Sequence, residues 1–207
     1  MEYKMRDEGV IKFKCTLKKA GPIDESLFIN IEKWRTILYK ISLIGEYKEE
    51  GLGYGNLSRR VALDEFVITG TQTGKLPNLT GYHYTRVVKC NLNTMKVEAI
   101  GPTNPSSESL THYAIYSQCP QIQFVFHVHH KGLWEFMLNN GYDQTADNID
   151  YGTQEMANEA IRCIGKKNCG IFAMKGHEDG VIAYAQTAED AGKILLDTLK
   201  QSKTQTS

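Results

Sequence analysis

Two histidines one residue apart, His127 and His129, close the stretch Gln121–His130 of this 207-residue chain. Before them Ile122, Phe124, Phe126 and Val128 alternate with Gln123, Val125, His127 and His129, which is the period of a β-strand. Side chains two apart on a strand share a face, about 6–7 Å apart at the backbone, so both imidazoles can converge on one ion. A helix would splay them. The same pattern also fits two half-buried core histidines, and local pattern does not choose between the readings. His177 lies in a turn between two apolar segments. Two strand histidines and one distant loop histidine would leave a position open on a metal, as in a catalytic zinc-type site rather than a closed structural one. Taken alone, His177 reads as an ordinary loop residue. His130 faces away from its two neighbours, and His83 and His112 have no partner by spacing, so they read as surface or helix-face residues.

Glu108 follows Ser106 and Ser107 at the start of a helical segment. Carboxylates favour a first turn through the helix dipole; beside a metal, the same carboxylate is a general acid/base, a task for which burial would need to raise its pKa. The serines are ordinary N-caps, or they offer hydroxyls and N–H groups to a phosphate at the helix start. Gly53-Tyr-Gly55-Asn56 and Thr71-Gln-Thr73-Gly74 are glycine-containing loops, suited to turns or to cradling an anion.

The elements that must hold these residues follow from period and breakers. Ile31, Trp34, Leu38 and Ile41 predict an amphipathic helix within 26–44, ending at Gly45. Residues 49–58 read as a turn-rich loop, 65–70 as a short buried strand and 84–100 as a hairpin around Asn93-Thr94. A helix opens near Pro105 with Leu110, Tyr113, Ala114 and Ser117 inward, another covers Gln154 to Ile164, and strands fall at 170–174 and 180–184. Thr187-Ala-Glu-Asp190 resembles a capping box that starts a last helix, through about Lys200. Gly9–Cys15 is one possible strand in an N-terminal extension over 1–23, and 201–207 reads as a flexible tail. Mixed strands and helices predict a layered α/β protein of one domain over 1–207.

Lys plus Arg and Asp plus Glu both number 24, so charge balance favours neither nucleic acid nor an anionic membrane as partner. No apolar run reaches the roughly 18 residues of a bilayer span, and the charged first eight residues carry no secretory signal. The five cysteines are odd in number and scattered, which predicts reduced thiols in a cytoplasmic protein, with Cys163 and Cys169 read as buried structural thiols rather than a pair.

In chain order, Gly55-Asn56-Leu-Ser58, Thr73-Gly74, Ser106-Ser107-Glu108, His127-x-His129 and His177 resemble the class II aldolase/adducin family, over roughly residues 26–200. Ser-Ser-Glu followed about twenty residues later by His-x-His is the most specific part; Tyr151-Gly-Thr153 and Gly180-Val-Ile-Ala183, each with the helix after it, also fit. The resemblance implies a three-layer α/β/α fold around a central mixed β-sheet, and a homotetramer with sites at subunit boundaries. It implies His127, His129 and His177 as metal ligands, usually for Zn²⁺, with Glu108 as acid/base. Gly55, Asn56, Thr73, Gly74, Ser106 and Ser107 would form a phosphate pocket. The implied reaction cleaves or forms a C–C bond in a small sugar phosphate or related hydroxy-carbonyl compound through a metal-stabilised enediolate. The family also holds epimerases, dehydratases and the non-catalytic adducin head domain. No tyrosine follows Tyr184, where aldolases and the epimerase carry one, and Tyr142 is the candidate for a tyrosine supplied across the subunit boundary. A cupin-type barrel also uses His-x-His, a Glu and a later His; the upstream Ser-Ser-Glu and the long helical stretches count against it.

Overall fold

A computed structural model describes residues 8–205. Nine strands form one mixed sheet in the order β1 (Lys14–Lys19), β7 (Lys96–Gly101), β6 (Tyr84–Asn91), β5 (Glu65–Thr69), β4 (Asn56–Ala62), β8 (Phe124–His129), β11 (Gly180–Ala185), β10 (Gly170–Ala173) and β9 (Asp143–Gln144). The two outermost pairs, β1 with β7 and β9 with β10, are parallel, and the pairs between them are antiparallel. A separate ribbon joins β2 (Gly45–Tyr47) to β3 (Leu52–Tyr54). Helices α1 (Ile29–Lys40), α3 (Lys131–Asn139) and α5 (Ala188–Gln205) cover one face of the large sheet, and α2 (Ser109–Gln118) and α4 (Gln154–Ile164) cover the other. This is a three-layer α/β/α arrangement on a central mixed sheet. No helix among the described residues is long and apolar enough to cross a membrane.

The β8 alternation sorts its side chains between the two layers. Phe124, Phe126 and Val128 pack with α1, α3 and α5, and Val125 packs with α2 and α4. Every β8 residue is buried, as a central strand covered on both faces requires. Ile122 departs from its expected face: β8 begins only at Phe124, and Ile122, in the turn before it, joins the α2/α4 layer.

Several boundaries differ from the sequence reading for local reasons. A 3₁₀ turn at Glu25–Leu27 precedes α1, which stops at Lys40. Ser42 then turns the chain at a φ of 60°, leaving Ile41 40% exposed while Leu43 and Ile44 enter the core. Residues 49–58 are not a plain loop; they contain β3 and the start of β4. The first strand is Lys14–Lys19 rather than Gly9–Cys15, and it forms an edge of the sheet. On α2, Leu110 and Ala114 face inward as expected, but Tyr113 is half-buried and Ser117 exposed, while Thr111, His112, Ile115 and Tyr116 are buried. Residues 131–144, for which the sequence pattern predicts no element, form α3 and β9. Helix α5 continues past Lys200 to Gln205, so part of the expected tail is helical. Its buried stripe of Ala188, Ala191, Leu195, Leu199 and Ser202 recurs at three- and four-residue spacing, which keeps the last turn on the protein. Met1–Asp7, Thr206 and Ser207 lie outside the described residues. All five cysteines are free; Cys119 and Cys163 are buried, and Cys169 is exposed.

Two buried polar residues fasten the layers near the strand ends. Arg35 on α1 is 1% exposed. It donates to the carbonyls of Thr73 at 2.9 Å, Gly74 at 3.3 Å, Pro77 at 3.4 Å and also Leu76. Glu32, one turn earlier, accepts from Leu79 N at 2.8 Å and Tyr84 OH at 2.6 Å. Helix α1 therefore holds the 73–79 loop from behind. His112 on α2 is fully buried, its Nδ1 2.6 Å from Ser58 Oγ, which in turn lies 2.7 Å from Tyr116 OH.

Burial pushes His112 down from 6.5 to about 3, with Glu108 opposing. The unfolded chain therefore binds the extra proton between those values, so this contribution to stability is complete above about pH 6.5 and is lost as pH falls toward 3. The loss should reach about 2–3 kcal/mol by pH 4.5. Urea unfolding of the wild type and His112→Gln across pH 4.5–7.5 measures it: the slope of stability against pH should shrink by about one proton in the variant. Equal slopes would remove His112 from the acid sensitivity.

Candidate metal centre and adjoining cleft

The register of the central strands builds the site. β8 lies between β4 and β11, which sets Asn56 and Ile182 opposite His127, and Gly180 opposite His129. His177 comes from the tight turn joining β10 to β11. Met174 N donates to Gly180 O at 2.9 Å and Gly180 N donates to His177 O at 3.0 Å. This closure returns the His177 ring to within 5.5 Å of the His127 ring and 4.7 Å of the His129 ring. Glu108, at the N-terminal cap of α2, places Oε1 2.9 Å from His127 Nε2 and 3.5 Å from His177 Nε2. His127 Nε2 and His129 Nε2 are 2.8 Å apart. A fifth group joins them from outside the residues singled out by sequence: Glu8 Oε2 is 3.5 Å from His177 Nε2 and 3.8 Å from His129 Nε2.

One ligand atom from each of these five buried residues lies within 4.8 Å of all the others. That spread is near the one expected of ligands around a single ion with bonds of about 2.0–2.2 Å. Two imidazole lone pairs cannot face each other across 2.8 Å, so a proton or a cation must lie between these nitrogens. Glu108 is fully buried, and neither of its oxygens has a well-aligned hydrogen-bond partner among the described residues. A buried carboxylate in that setting requires a nearby cation. Three imidazoles with carboxylate oxygens are a donor set that divalent transition metals accept, so these residues fit a metal ion.

Burial pushes the Glu108 carboxyl up, but His127 and His177 outweigh burial and hold it well below the usual carboxylate range. This is the reverse of the raised value expected for an acid/base carboxyl, because the imidazoles lie closer than the sequence could show. The resting carboxyl is thus ionised. Burial acts to lower His177, and Glu8 followed by Glu108 overcome it and raise its pKa.

Tyr47 OH lies 2.9 Å from Nδ1 of His129. If Nδ1 carries the proton and donates it to this oxygen, Nε2 keeps its lone pair for an ion. Tyr47→Phe should weaken divalent-metal affinity by about 10–100-fold. Competition with a chromophoric chelator reads this directly, and unchanged affinity would mean that the hydroxyl does not set the tautomer.

A small cleft adjoins the cluster. Gly55, Asn56, Gly74, Ser106 and Ser107 line it, together with Gly53, Gly70, Thr71, Gln72, Glu8 and Gly9. Thr73 is not part of this lining; its hydroxyl donates to Gly70 O at 2.7 Å and secures the turn. Gly74 must be glycine, since a Cβ there would stand 2.3 Å from Tyr54 O and 2.7 Å from Tyr54 N. Ser106 N donates to Thr69 O at 3.1 Å and Ser106 Oγ accepts from Glu108 N at 3.3 Å, tying the start of α2 to the end of β5. Asn56 Oδ1 is buried and has no hydrogen-bond partner among the described residues.

His130 and His83 are not among the five clustered groups. His130 caps α3, its Nδ1 accepting from Leu133 N at 3.0 Å, and His83 Nδ1 accepts from Thr80 N at 3.0 Å. Tyr142 OH donates to Gln201 Oε1 at 2.8 Å, which ties it to α5 within its own chain.

Residues 37–201 match the Class II Aldolase and Adducin N-terminal domain. The chain belongs to the class II aldolase/adducin family. Among solved structures, YgbL from Escherichia coli aligns with a TM-score of 0.69 at 16% identity, over 87% of this chain and 88% of its own. The L-fuculose-1-phosphate aldolase of Thermus thermophilus aligns with a TM-score of 0.64 at 17% identity, over 87% and 93%. A sugar-phosphate aldolase of Thermotoga maritima gives 0.67 at 16%, over 87% and 93%. At these identities the likeness is one of fold. No curated protein is similar enough to match the chain. Class II aldolases use a divalent metal, and this member of the family carries a buried Glu/His cluster able to bind one. Glu8 and the segment around it precede the matched region. Neither Glu8, in a charged stretch, nor Tyr47, in a three-residue strand, carries a local signal that would have marked it.

Proposed function

We propose that this protein is a metal-dependent aldolase-type lyase, with Zn²⁺ as the ion, that cleaves or forms a C–C bond in a small phosphorylated sugar or related hydroxy-carbonyl compound. The supporting observation is the meeting of Glu108, His127, His129 and His177 beside a cleft lined by glycines, amides and hydroxyls. When bound, the ion supplies Lewis-acid polarisation of a carbonyl and its neighbouring hydroxyl. His127, His129 and His177 hold it. The hydroxyls of Ser106 and Ser107, the amide of Asn56 and the N–H groups around Gly55 and Gly74 receive the phosphate, helped by the start of α2. Thr73 keeps the second loop in shape for that contact. Glu108, ionised at rest, takes a proton from the carbon beside the carbonyl or returns it there. A homotetramer and a cytoplasmic location complete the reading; family membership supports the first and five free thiols the second.

The test is an assay of the metal-replete protein against a panel of phosphorylated ketoses, read as release of an aldehyde fragment. Turnover that vanishes on chelation and returns with the metal supports the lyase. Epimerised or dehydrated product in place of fragments would reassign the reaction within the family. A protein that takes up no divalent metal yet forms a stable oligomer would instead be a non-catalytic, adducin-like module.

A further inference from the structure

Glu8 precedes both β1 and the family match, yet the residue is 7% exposed and its carboxylate reaches the three-histidine cluster. Its oxygen lies 3.5 Å from His177 Nε2 and 3.8 Å from His129 Nε2, longer than good hydrogen bonds. Neighbouring ligand atoms on a tetrahedral ion with bonds of about 2.1 Å stand about 3.4 Å apart, close to these separations. We propose that Glu8 is a further protein ligand of the metal centre, carried in by the N-terminal segment, and that it occupies the coordination position a chelating substrate must take. The inference rests on the metal-centre reading above.

The segment is shaped and pinned for this placement. Gly9 adopts a φ of +74°, and a Cβ there would lie 1.9 Å from Gln72 Nε2. Gln72 Nε2 donates to Glu8 O at 3.2 Å, Thr71 Oγ1 to Gly9 O at 3.1 Å, and Val10 N to Tyr151 OH at 2.9 Å. The Tyr151 ring leans on His177 with centroids 4.8 Å apart, and Lys12 Nζ sits 4.1 Å above that ring. The strap therefore crosses from the cleft loop to the wall of the metal cluster. Glu8 and Gly9 also line the cleft beside Asn56, Ser106 and Ser107, so the segment fills space that a phosphorylated chelator would need. Neutral hydrogen bonds of this kind are individually weak, so a bidentate ligand can displace the strap.

The experiment titrates Co²⁺ into metal-free wild type, Glu8→Gln and Glu8→Ala, following visible absorption and affinity by chelator competition, then adds acetohydroxamic acid, which chelates as its singly charged hydroxamate, as a bidentate probe. Circular dichroism confirms that each variant is folded. Both variants should bind Co²⁺ about tenfold or more weakly and show a shifted band. Once loaded, they should bind acetohydroxamate more tightly than wild type, because no carboxylate has to leave. Wild-type affinity and spectrum in both variants would overturn the role of Glu8 while leaving the metal centre standing. Failure of the wild type itself to bind Co²⁺ would overturn the metal-centre reading and this inference with it.

Discussion

Glu108→Gln is expected to leave metal content near the wild-type level and to lower turnover on a competent substrate by a factor of about 10²–10⁴. The amide has the shape of the carboxyl but cannot accept the proton. Glu108 is fully buried, its Oε1 2.9 Å from His127 Nε2 and 3.5 Å from His177 Nε2. Burial works to raise its pKa and the imidazoles lower it further, so the base stays ionised as pH falls through the ordinary carboxylate range. The acid limb of the wild-type rate profile should therefore not report protonation of Glu108, and it should track loss of metal. Paired measurements of kcat and bound metal test both statements. Full turnover in Glu108→Gln would show that the acid/base role belongs elsewhere.

The second large effect is expected from His127→Ala/His129→Ala. Removing two of three imidazoles should take metal content from near stoichiometric to near zero, measured on protein purified beside the wild type. It should also destabilise the fold by about 3–5 kcal/mol, because Glu108 would stay buried with its nearer partner gone and only His177, at 3.5 Å, left beside it. Urea unfolding of the two metal-free proteins separates this from stabilisation by bound metal. A double variant that keeps its metal would place the ion away from the strand histidines. An equally stable one would mean that the buried carboxylate is compensated in another way.

Much of the frame was legible from local pattern. The alternation before His127 marked a strand, and Phe124, Phe126 and Val128 do enter one layer while Val125 enters the other; Ile122, which precedes the strand, joins Val125 instead. The 84–100 hairpin, the helix over Gln154–Ile164 and the strands flanking His177 were likewise readable, because their periods are long enough to stand above the breakers around them. The short β2, β3 and β9 were not, since two or three residues carry no period. Helix α1 ended early because Ser42 takes a left-handed conformation that no local rule required.

Local pattern gives the kinds of groups available and which of them share a strand: His127 and His129 on one face, a carboxylate after two serines, glycines in two loops. The distances come from packing between distant elements. The hairpin turn returns His177 to the strand ends, the cap of α2 brings Glu108 to 2.9 Å from His127, and the N-terminal segment delivers Glu8. Tertiary packing also turned His112 from a helix-face residue into a buried one, and set Arg35 behind the cleft loop. Burial and electrostatic coupling depend on separations of a few ångströms between elements far apart in the chain. The direction of a pKa shift therefore becomes readable only once the layers are packed.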